Sequence, residues 1–209
     1  MSVATARQPW SSSVLNYFAS HAISPRLAAN LGVAERDRSL IFTVATETGS
    51  FRRTRRLNGC GPAKVLQPRG QSLELWWPRW RPELARTVLV VEGESDALAA
   101  ASALEAGPPT PFDELPIAAL PGCGFPVRRL VEELVRVECR FAYFALDADE
   151  AGRKFTRSAC RALDFTGIHT AVLSLPEGAD LADVAAAKAP DDRAAWMVEL
   201  LLAGEGGAR

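Results

Sequence analysis

Four short apolar segments alternate with helical sequence between residues 87 and 175, and this alternation limits the possible folds more than any other feature. The segments are TVLVV (87–91), PIAAL (116–120), RFAYFAL (140–146) and HTAVLSL (169–175). Continuous apolar runs of this length are typical of strands buried on both faces of a parallel sheet. The region therefore predicts the order β-α-β-α-β-α-β, an α/β fold with a Rossmann-like, doubly wound sheet.

The first part of the chain has a different pattern, which predicts a small α+β region with an antiparallel sheet. Helices are expected at residues 12–21 and from Ser24 to Gly32, because a Ser cap or a Ser-Pro start precedes each. Strands are expected at 39–44, 51–57, and in AKVLQP and SLELWWP. Pro78 to Pro82 is the expected boundary. This divides the chain into an N-terminal region (1–84), an α/β domain (85–185) and a C-terminal helix and tail (186–209).

Charge is unevenly divided between the two halves. Residues 1–88 contain 13 Lys and Arg against 5 Asp and Glu, whereas residues 89–209 contain 11 against 20. A basic half beside an acidic half favours a phosphate-rich partner and a cation site in one molecule. Mutual attraction of the two halves is an alternative that charge alone leaves open.

The sequence disfavours a structural zinc site, a membrane span and a secretory signal. The four cysteines form no C-x-x-C pair, so a structural zinc site is not expected. No apolar run approaches the roughly 18 residues of a membrane span, and the N-terminus lacks a secretory pattern. We expect a cytoplasmic protein without membrane partners.

Acidic residues follow two of the predicted parallel strands. Glu92 follows the first strand, and Asp147 and Asp149 follow the third. Because ligands of such sheets bind beyond the carboxyl ends of the strands, we expect these acids to converge. Three carboxylates repel one another unless a cation is present or one is protonated. The sequence therefore predicts a site for Mg²⁺ (or Mn²⁺), which takes oxygen ligands and bridges carboxylates to phosphates. Other nearby acids are equally consistent with helix caps or first-turn charges: Glu94, Asp96 and Glu150.

The segments VVEGESDALA and FALDADEAGRKF resemble the two signature motifs of Toprim domains, found in DnaG-type bacterial primases, phage primase-helicases and topoisomerases. The family uses the Glu before Gly and both Asp of D-x-D in catalysis and metal binding. The resemblance implies these roles for Glu92, Asp147 and Asp149. The primase branch also has an Asp four residues after the Glu, matched by Asp96. Its basic residue after D-x-D is matched by Arg153 and implies nucleotide or nucleic-acid contact.

A later family element, G-x-D-P-D, resembles Gly178 to Ala182 and implies a metal-binding role for Asp180. The last acid of that element is replaced by Ala182. Asp183 lies one residue further on, so a second metal site stays open. The resemblance covers roughly residues 86–183.

The basic N-terminal region extends the resemblance, since an Arg- and Lys-rich α+β region precedes the Toprim domain in primase cores. GSFRRTRRLNG and AKVLQPRG resemble the part of those cores that meets template and nucleotide. The implied contacts are Arg53, Arg56 and Lys64, although arginines that alternate along a strand cannot all share one face. Three tryptophans could stack on bases, but a W-W-P segment more often packs two domains together: Trp76, Trp77 and Trp80.

The function implied by this resemblance is that of a DNA primase-like nucleotidyltransferase. It would make short primers on single-stranded DNA from nucleoside triphosphates, with a replicative helicase as a further candidate partner. No zinc-ribbon or helicase segment is recognised in the sequence. Alternatives are a Toprim metal-dependent nuclease and a non-catalytic nucleic-acid-binding module. Topoisomerase activity is not expected, because it needs a tyrosine nucleophile and Tyr143 lies in a predicted core strand.

Overall fold

The N-terminal region in the computed structural model is an α+β unit, as predicted. The structure describes residues 10–57, 65–78 and 81–207. Helices α1 (Ser12–Ser20) and α2 (Pro25–Asn30) are each capped by the preceding serine, whose hydroxyl accepts a backbone N–H of the first turn. They are followed by an antiparallel sheet of order β1-β2-β3-β4, comprising Ala34–Arg36, Ser39–Thr46, Gly49–Arg56 and Val65–Leu66. Strand β1 was not predicted.

The prediction of a strand in SLELWWP is wrong, because this segment forms no strand of the N-terminal sheet. Trp76 makes an isolated antiparallel bridge to Ala119, with backbone hydrogen bonds of 2.9 and 2.8 Å. Trp76 packs edge-to-face on Phe42 of β2 at a centroid distance of 5.0 Å, and Trp77 is also buried. Both tryptophans therefore pack the two regions together rather than being exposed for base stacking. Trp80 and Lys64 lie outside the described residues.

The second sheet confirms the predicted α/β pattern. Its four parallel strands have the order β6-β5-β7-β8. In chain order, the elements are β5 (Thr87–Val91), α3 (Glu94–Glu105), β6 (Ile117–Ala119), α4 (Val127–Arg136), β7 (Phe141–Ala145), α5 (Glu150–Asp164) and β8 (His169–Val172).

Two hydrophobic layers cover the faces of this sheet. Leu89 and Val91 of β5 face the layer that contains α3, while Val88 and Val90 face the layer that contains α4 and α5. All four side chains are fully buried, which explains why the strand is apolar without alternation. The layer over α3 also contains core residues of the N-terminal region, such as Phe18. The two regions thus share one core, and the boundary at residues 78–82 stays a prediction.

The C-terminal part completes the α3 side of the molecule. It consists of α6 (Leu181–Ala186), a 3-10 helix (Pro190–Asp192) and α7 (Arg193–Gly207). Met197 and Leu201 of α7 are fully buried in the shared core. None of the helices in the described ranges is long and apolar enough to cross a membrane.

Candidate active site

The acids of both motifs lie at the same edge of the parallel sheet. Strands β5 and β7 are adjacent, and their register pairs Val91 with Ala145. Glu92 directly follows Val91, and Asp147 lies two residues beyond Ala145. The parallel pairing therefore brings Glu92 beside the D-A-D segment (147–149), where ligands of such sheets bind.

Asp147 lies in a crowded field of negative charge. Its pKa is raised from 3.8 to about 7, first by burial and then by repulsion from Glu92, Asp180, Asp149 and Asp183. A carboxyl group held this way is stabilised either by a proton or by a cation. The arrangement therefore favours binding of a positively charged group at Asp147.

Two backbone hydrogen bonds hold the loop before α6 against the D-A-D segment. The N–H of Ala148 donates to the carbonyl of Ala179, and the N–H of Gly178 donates to the carbonyl of Ala148, each at 3.0 Å. These bonds hold Asp180 close enough to Asp147 for its negative charge to raise the pKa of Asp147. The loop thus carries Asp180 to the acid centre, which comprises Glu92, Asp147, Asp149 and Asp180.

Two of the acids also cap helices. The N–H of Gly152 donates to Oδ1 of Asp149 at 2.7 Å, at the start of α5. The N–H of Asp183 donates to Oδ1 of Asp180 at 2.6 Å, at the start of α6. These bonds fix the orientation of both carboxylates.

Gly152 permits the close approach of α5 to the D-A-D segment. A Cβ atom at this position would collide with the carbonyl oxygen of Asp147. No side chain, not even that of alanine, can therefore be placed there without moving the backbone of an acid-centre residue.

Asp96 is buried, with 5% of its surface exposed. Its Oδ1 accepts the N–H of Ala182 at 3.1 Å, and burial, followed by repulsion from Asp180, raises its pKa well above the ordinary value. Asp96 thus ties α3 to the first turn of α6 next to the other acids. It does not present an open carboxylate to solvent.

Cys123 contacts Glu92 and was missed by the sequence analysis. Its thiol donates to Oε2 of Glu92 at 3.1 Å, and burial together with this bond raises the thiol pKa far above the usual range. Cys123 belongs to the loop P-G-C-G-F-P after β6, the strand beside β5. Its position after a neighbouring parallel strand was the available signal, because such loops meet at one edge.

The structure does not place Arg53 where the resemblance implied, in contact with template or nucleotide. Its side chain is fully buried, because β3 directs it inward together with Phe51. Nη1 donates to Oε1 of Glu94 at 2.6 Å, and Nη2 donates to the carbonyl of Glu74 at 2.7 Å. A guanidinium enclosed in this way is inaccessible to DNA, so we do not include it among the nucleic-acid contacts.

The other basic candidates lie nearer the surface. Arg56 ends β3, is paired in register with Ser39, and is partly exposed. Arg153 is exposed on the first turn of α5, and its Nη1 donates to the carbonyl of Ala148 at 2.9 Å. That bond places a cation directly beside the D-A-D segment.

Arg55 is a further cation near the acids that the sequence did not single out. Its guanidinium lies 5.6 Å from the ring centroid of Tyr17, and its charge acts to lower the pKa of Asp96 against the larger effect of burial. The Tyr17 hydroxyl in turn hydrogen-bonds to Ser95 Oγ. Strand β3 therefore brings positive charge to the acid centre through Arg55.

The donor set suits a hard divalent cation. Among residues 10–57, 65–78 and 81–207, no three His, Cys, Asp or Glu side chains are gathered closely enough to enclose a metal ion. The acids that crowd Asp147 offer only oxygen donors: Glu92, Asp149, Asp180 and Asp183. Mg²⁺ typically binds through one or two carboxylates, several waters and a substrate phosphate, and does not need a closed cage. The residues present fit such an ion.

Comparison with known proteins agrees with this geometry. Residues 89–185 match a family model described as Toprim-like. A search of curated protein sequences finds no match. The fold is similar to the zinc-binding and RNA polymerase domains of the Aquifex aeolicus primase, with a TM-score of 0.67 and 17% identity. That alignment covers 92% of this chain and 56% of the Aquifex chain, so this chain spans little more than half of its length.

Two further primase structures share the fold. The primase fragment of the bacteriophage T7 primase-helicase aligns with a TM-score of 0.60 and 17% identity, covering 88% of this chain and 72% of that one. The RNA polymerase domain of the Mycobacterium tuberculosis primase DnaG aligns with a TM-score of 0.61 and 17% identity, covering 91% and 75%. Residues 89–185 therefore form a Toprim-like domain, in a chain that has the fold of bacterial and phage primase catalytic cores.

Proposed function

We propose that this protein is a DNA primase-like nucleotidyltransferase that synthesises short primers on single-stranded DNA from nucleoside triphosphates. The observation that carries the proposal is the convergence of Glu92, Asp147 and Asp149 at one sheet edge, beside the basic strand β3. Support comes from the shared fold, since one similar structure is a DnaG catalytic domain bound to single-stranded DNA. The reaction itself is inferred from the acids and cations of the site.

In this proposal Mg²⁺ or Mn²⁺ binds at Glu92, Asp147 and Asp149, with Asp180 adding a carboxylate from the loop before α6. Each ion would take one or two of these carboxylates, with water and substrate phosphate as its other ligands. A bound ion supplies charge neutralisation on the phosphate oxygens. Asp96 contributes as a positioning residue, because its carboxyl group accepts the Ala182 N–H and so fixes the start of α6.

The cations around the acids hold phosphates in the same proposal. Arg153 lies beside the D-A-D segment, and Arg56 ends strand β3. Together with Lys64, they are proposed to contact template or triphosphate. A replicative helicase is proposed as a partner only by analogy with T7, whose similar structure is the primase fragment of a primase-helicase.

The test is an incubation of the protein with single-stranded DNA, labelled ribonucleotides or deoxyribonucleotides, and Mg²⁺ or Mn²⁺. The double variant Asp147→Asn/Asp149→Asn removes the acids with little change in size. The matched control is Asp191→Asn/Asp192→Asn, which removes two exposed carboxylates from the 3-10 helix after α6.

Short products from the native protein and the matched control, but not from the acid-centre variant, are the expected result. Shortened DNA with the same dependence on Asp147 and Asp149 would identify the nuclease alternative instead. DNA binding without either product would mean that the isolated chain is a binding module, and the catalytic proposal would be wrong for it.

A further inference from the structure

A cavity of about 590 Å³ opens beside the acid centre, between α5 and the end of strand β8. Asp147 and Ala148 form part of its wall, so the cavity is continuous with the acid centre. Val172, Leu173 and Leu175 provide an apolar wall, and Glu177 is a further acid in the lining. Its volume lies within the range of about 300–1,000 Å³ that is usual for small-molecule sites.

Three arginines from one face of α5 line the same cavity: Arg153, Arg157 and Arg161. Residues four apart on a helix are neighbours on one face. Successive arginines are separated by about 6 Å along the axis, so the row extends for about 12 Å. The row begins next to the D-A-D segment, where Arg153 donates to the Ala148 carbonyl.

Arg157 and Arg161 are the two arginines farther from the D-A-D segment. Among the residues that the structure describes, no salt bridge includes either of them, and both are exposed. Elsewhere in the α/β domain, arginines such as Arg129 and Arg136 are paired with glutamates. The α5 row therefore presents unpaired positive charge to the cavity.

We propose that this α5 row binds the phosphate backbone of a single-stranded nucleic acid that leads to or from the acid centre. A strand places successive phosphates along a line, as the arginines do, whereas one triphosphate beside Asp147 would not extend to Arg161. The apolar wall offers contact for sugars and bases opposite the row. This inference deepens the proposed function, since it assigns a strand-binding surface to the same site.

The test is the binding of a fluorescently labelled single-stranded oligonucleotide by anisotropy at several salt concentrations, without nucleotides or metal. The variant Arg157→Glu/Arg161→Glu reverses both unpaired charges. Arg157→Ala/Arg161→Ala removes them with a good helix former. The matched control is Arg86→Glu/Arg140→Glu, which reverses two exposed arginines just before β5 and β7, at the opposite edge of the sheet. Far-UV circular dichroism checks that each variant is folded.

We expect affinity to fall at least tenfold in the charge-reversed α5 variant and several-fold in the alanine variant, while the control binds as the native protein does. Loss of two phosphate contacts should make the slope of log K against log salt concentration shallower by about 1.4, because each contact to a single strand contributes about 0.7 to that slope. Native affinity and salt dependence in both α5 variants would overturn the proposal. So would an equal loss in the control, which would indicate non-specific attraction.

Binding of ATP to the same variants, measured by equilibrium dialysis, separates the strand from a mononucleotide. Weaker ATP binding with unchanged oligonucleotide binding would assign the cavity to a nucleotide and overturn the strand proposal. Because these readouts need no synthesis, the two proposals fail separately. A native protein that uses the α5 row for DNA but makes no primer would contradict only the proposed function.

Discussion

Arg53 and Glu94 form a buried ion pair between the N-terminal region and the α/β domain. Arg53 Nη1 lies 2.6 Å from Glu94 Oε1, and the two side chains are 1% and 2% exposed. Arg53 belongs to strand β3 of the basic region, and Glu94 begins α3 two residues after Glu92. Arg53 also donates to the Glu74 carbonyl, while its Nε has no hydrogen-bond partner within residues 10–57, 65–78 and 81–207. The basic region is thereby fastened to the element that follows the first acid.

Breaking this ion pair from either side should destabilise the protein strongly. Removal of one partner leaves a buried charge without compensation, so we expect Arg53→Met and Glu94→Gln each to lower the free energy of unfolding by about 3–5 kcal/mol. The double variant Arg53→Met/Glu94→Gln should recover part of this loss, since neither buried charge remains. Urea unfolding of all four proteins measures the coupling. Additive losses would contradict a direct interaction.

Loss of charge at Asp147 should stabilise the ion-free protein at alkaline pH but not at acidic pH. Because the folded pKa of about 7 exceeds the ordinary 3.8, the folded state binds this proton more tightly than the unfolded state. The stability contribution of Asp147 is therefore present below pH 4 and is lost as the pH rises towards 7. The shift corresponds to at most about 4 kcal/mol, and solvent screening reduces the expected gain of Asp147→Asn to roughly 2 kcal/mol at pH 8.

Urea unfolding with EDTA at pH 4 and pH 8 measures this difference, with Asp191→Asn as the exposed control. In the native protein, Mg²⁺ should raise the melting temperature at pH 8, because the proposed Mg²⁺ site exists only in the folded state. The increase should be largely absent in Asp147→Asn. An equal gain in stability at both pH values would contradict an origin in the negative charge of Asp147, which burial and then the neighbouring acids disfavour.

The sheet edge could be predicted from sequence because it depends on local patterns. TVLVV and RFAYFAL are apolar without alternation, which indicates parallel strands, and acids that follow such strands must meet at one edge. Strand β3 shows the limit of the same reasoning. Its alternation predicted that its arginines face opposite sides, but which side faces the α/β domain depends on tertiary packing. Arg53 and Arg55, two residues apart, lie on the inward side, where Arg53 is fully buried and Arg55 lies near the acids, while Arg52 is exposed.

Tertiary context also decided the roles of Trp76 and Asp96. The SLELWWP segment has the composition of a strand, yet its pairing partner is Ala119 of the other sheet. Asp96 lies in the first turn of α3, as one of the two expectations had it, and its carboxyl also accepts the N–H of Ala182, 86 residues away. Contacts over such separations have no local pattern in the sequence.

Cys123 should react unusually slowly with iodoacetamide, because only the thiolate is nucleophilic and the pKa of this thiol is raised by burial and by Glu92. Glu92→Gln removes one of these causes, so alkylation of Cys123 should become faster. Burial, the larger cause, remains. Peptide mass mapping at pH 8 measures the rate at Cys123 separately from that at Cys160, which is the internal control. An unchanged ratio of the two rates would contradict an interaction between Cys123 and Glu92.

Gly152→Ala should destabilise the protein, although alanine is the better helix former by about 1 kcal/mol. The added Cβ would collide with the Asp147 carbonyl, so either α5 or the D-A-D segment must shift. Overpacking of this kind typically costs about 1–3 kcal/mol in the free energy of unfolding. It should also weaken the stabilisation by Mg²⁺, because Asp147 and Asp149 flank the displaced backbone. Ser158→Ala on the exposed face of α5 is the control and should change stability by less than about 0.5 kcal/mol. Stabilisation of Gly152→Ala, measured by urea unfolding, would mean that α5 tolerates the side chain and that the close approach is not required.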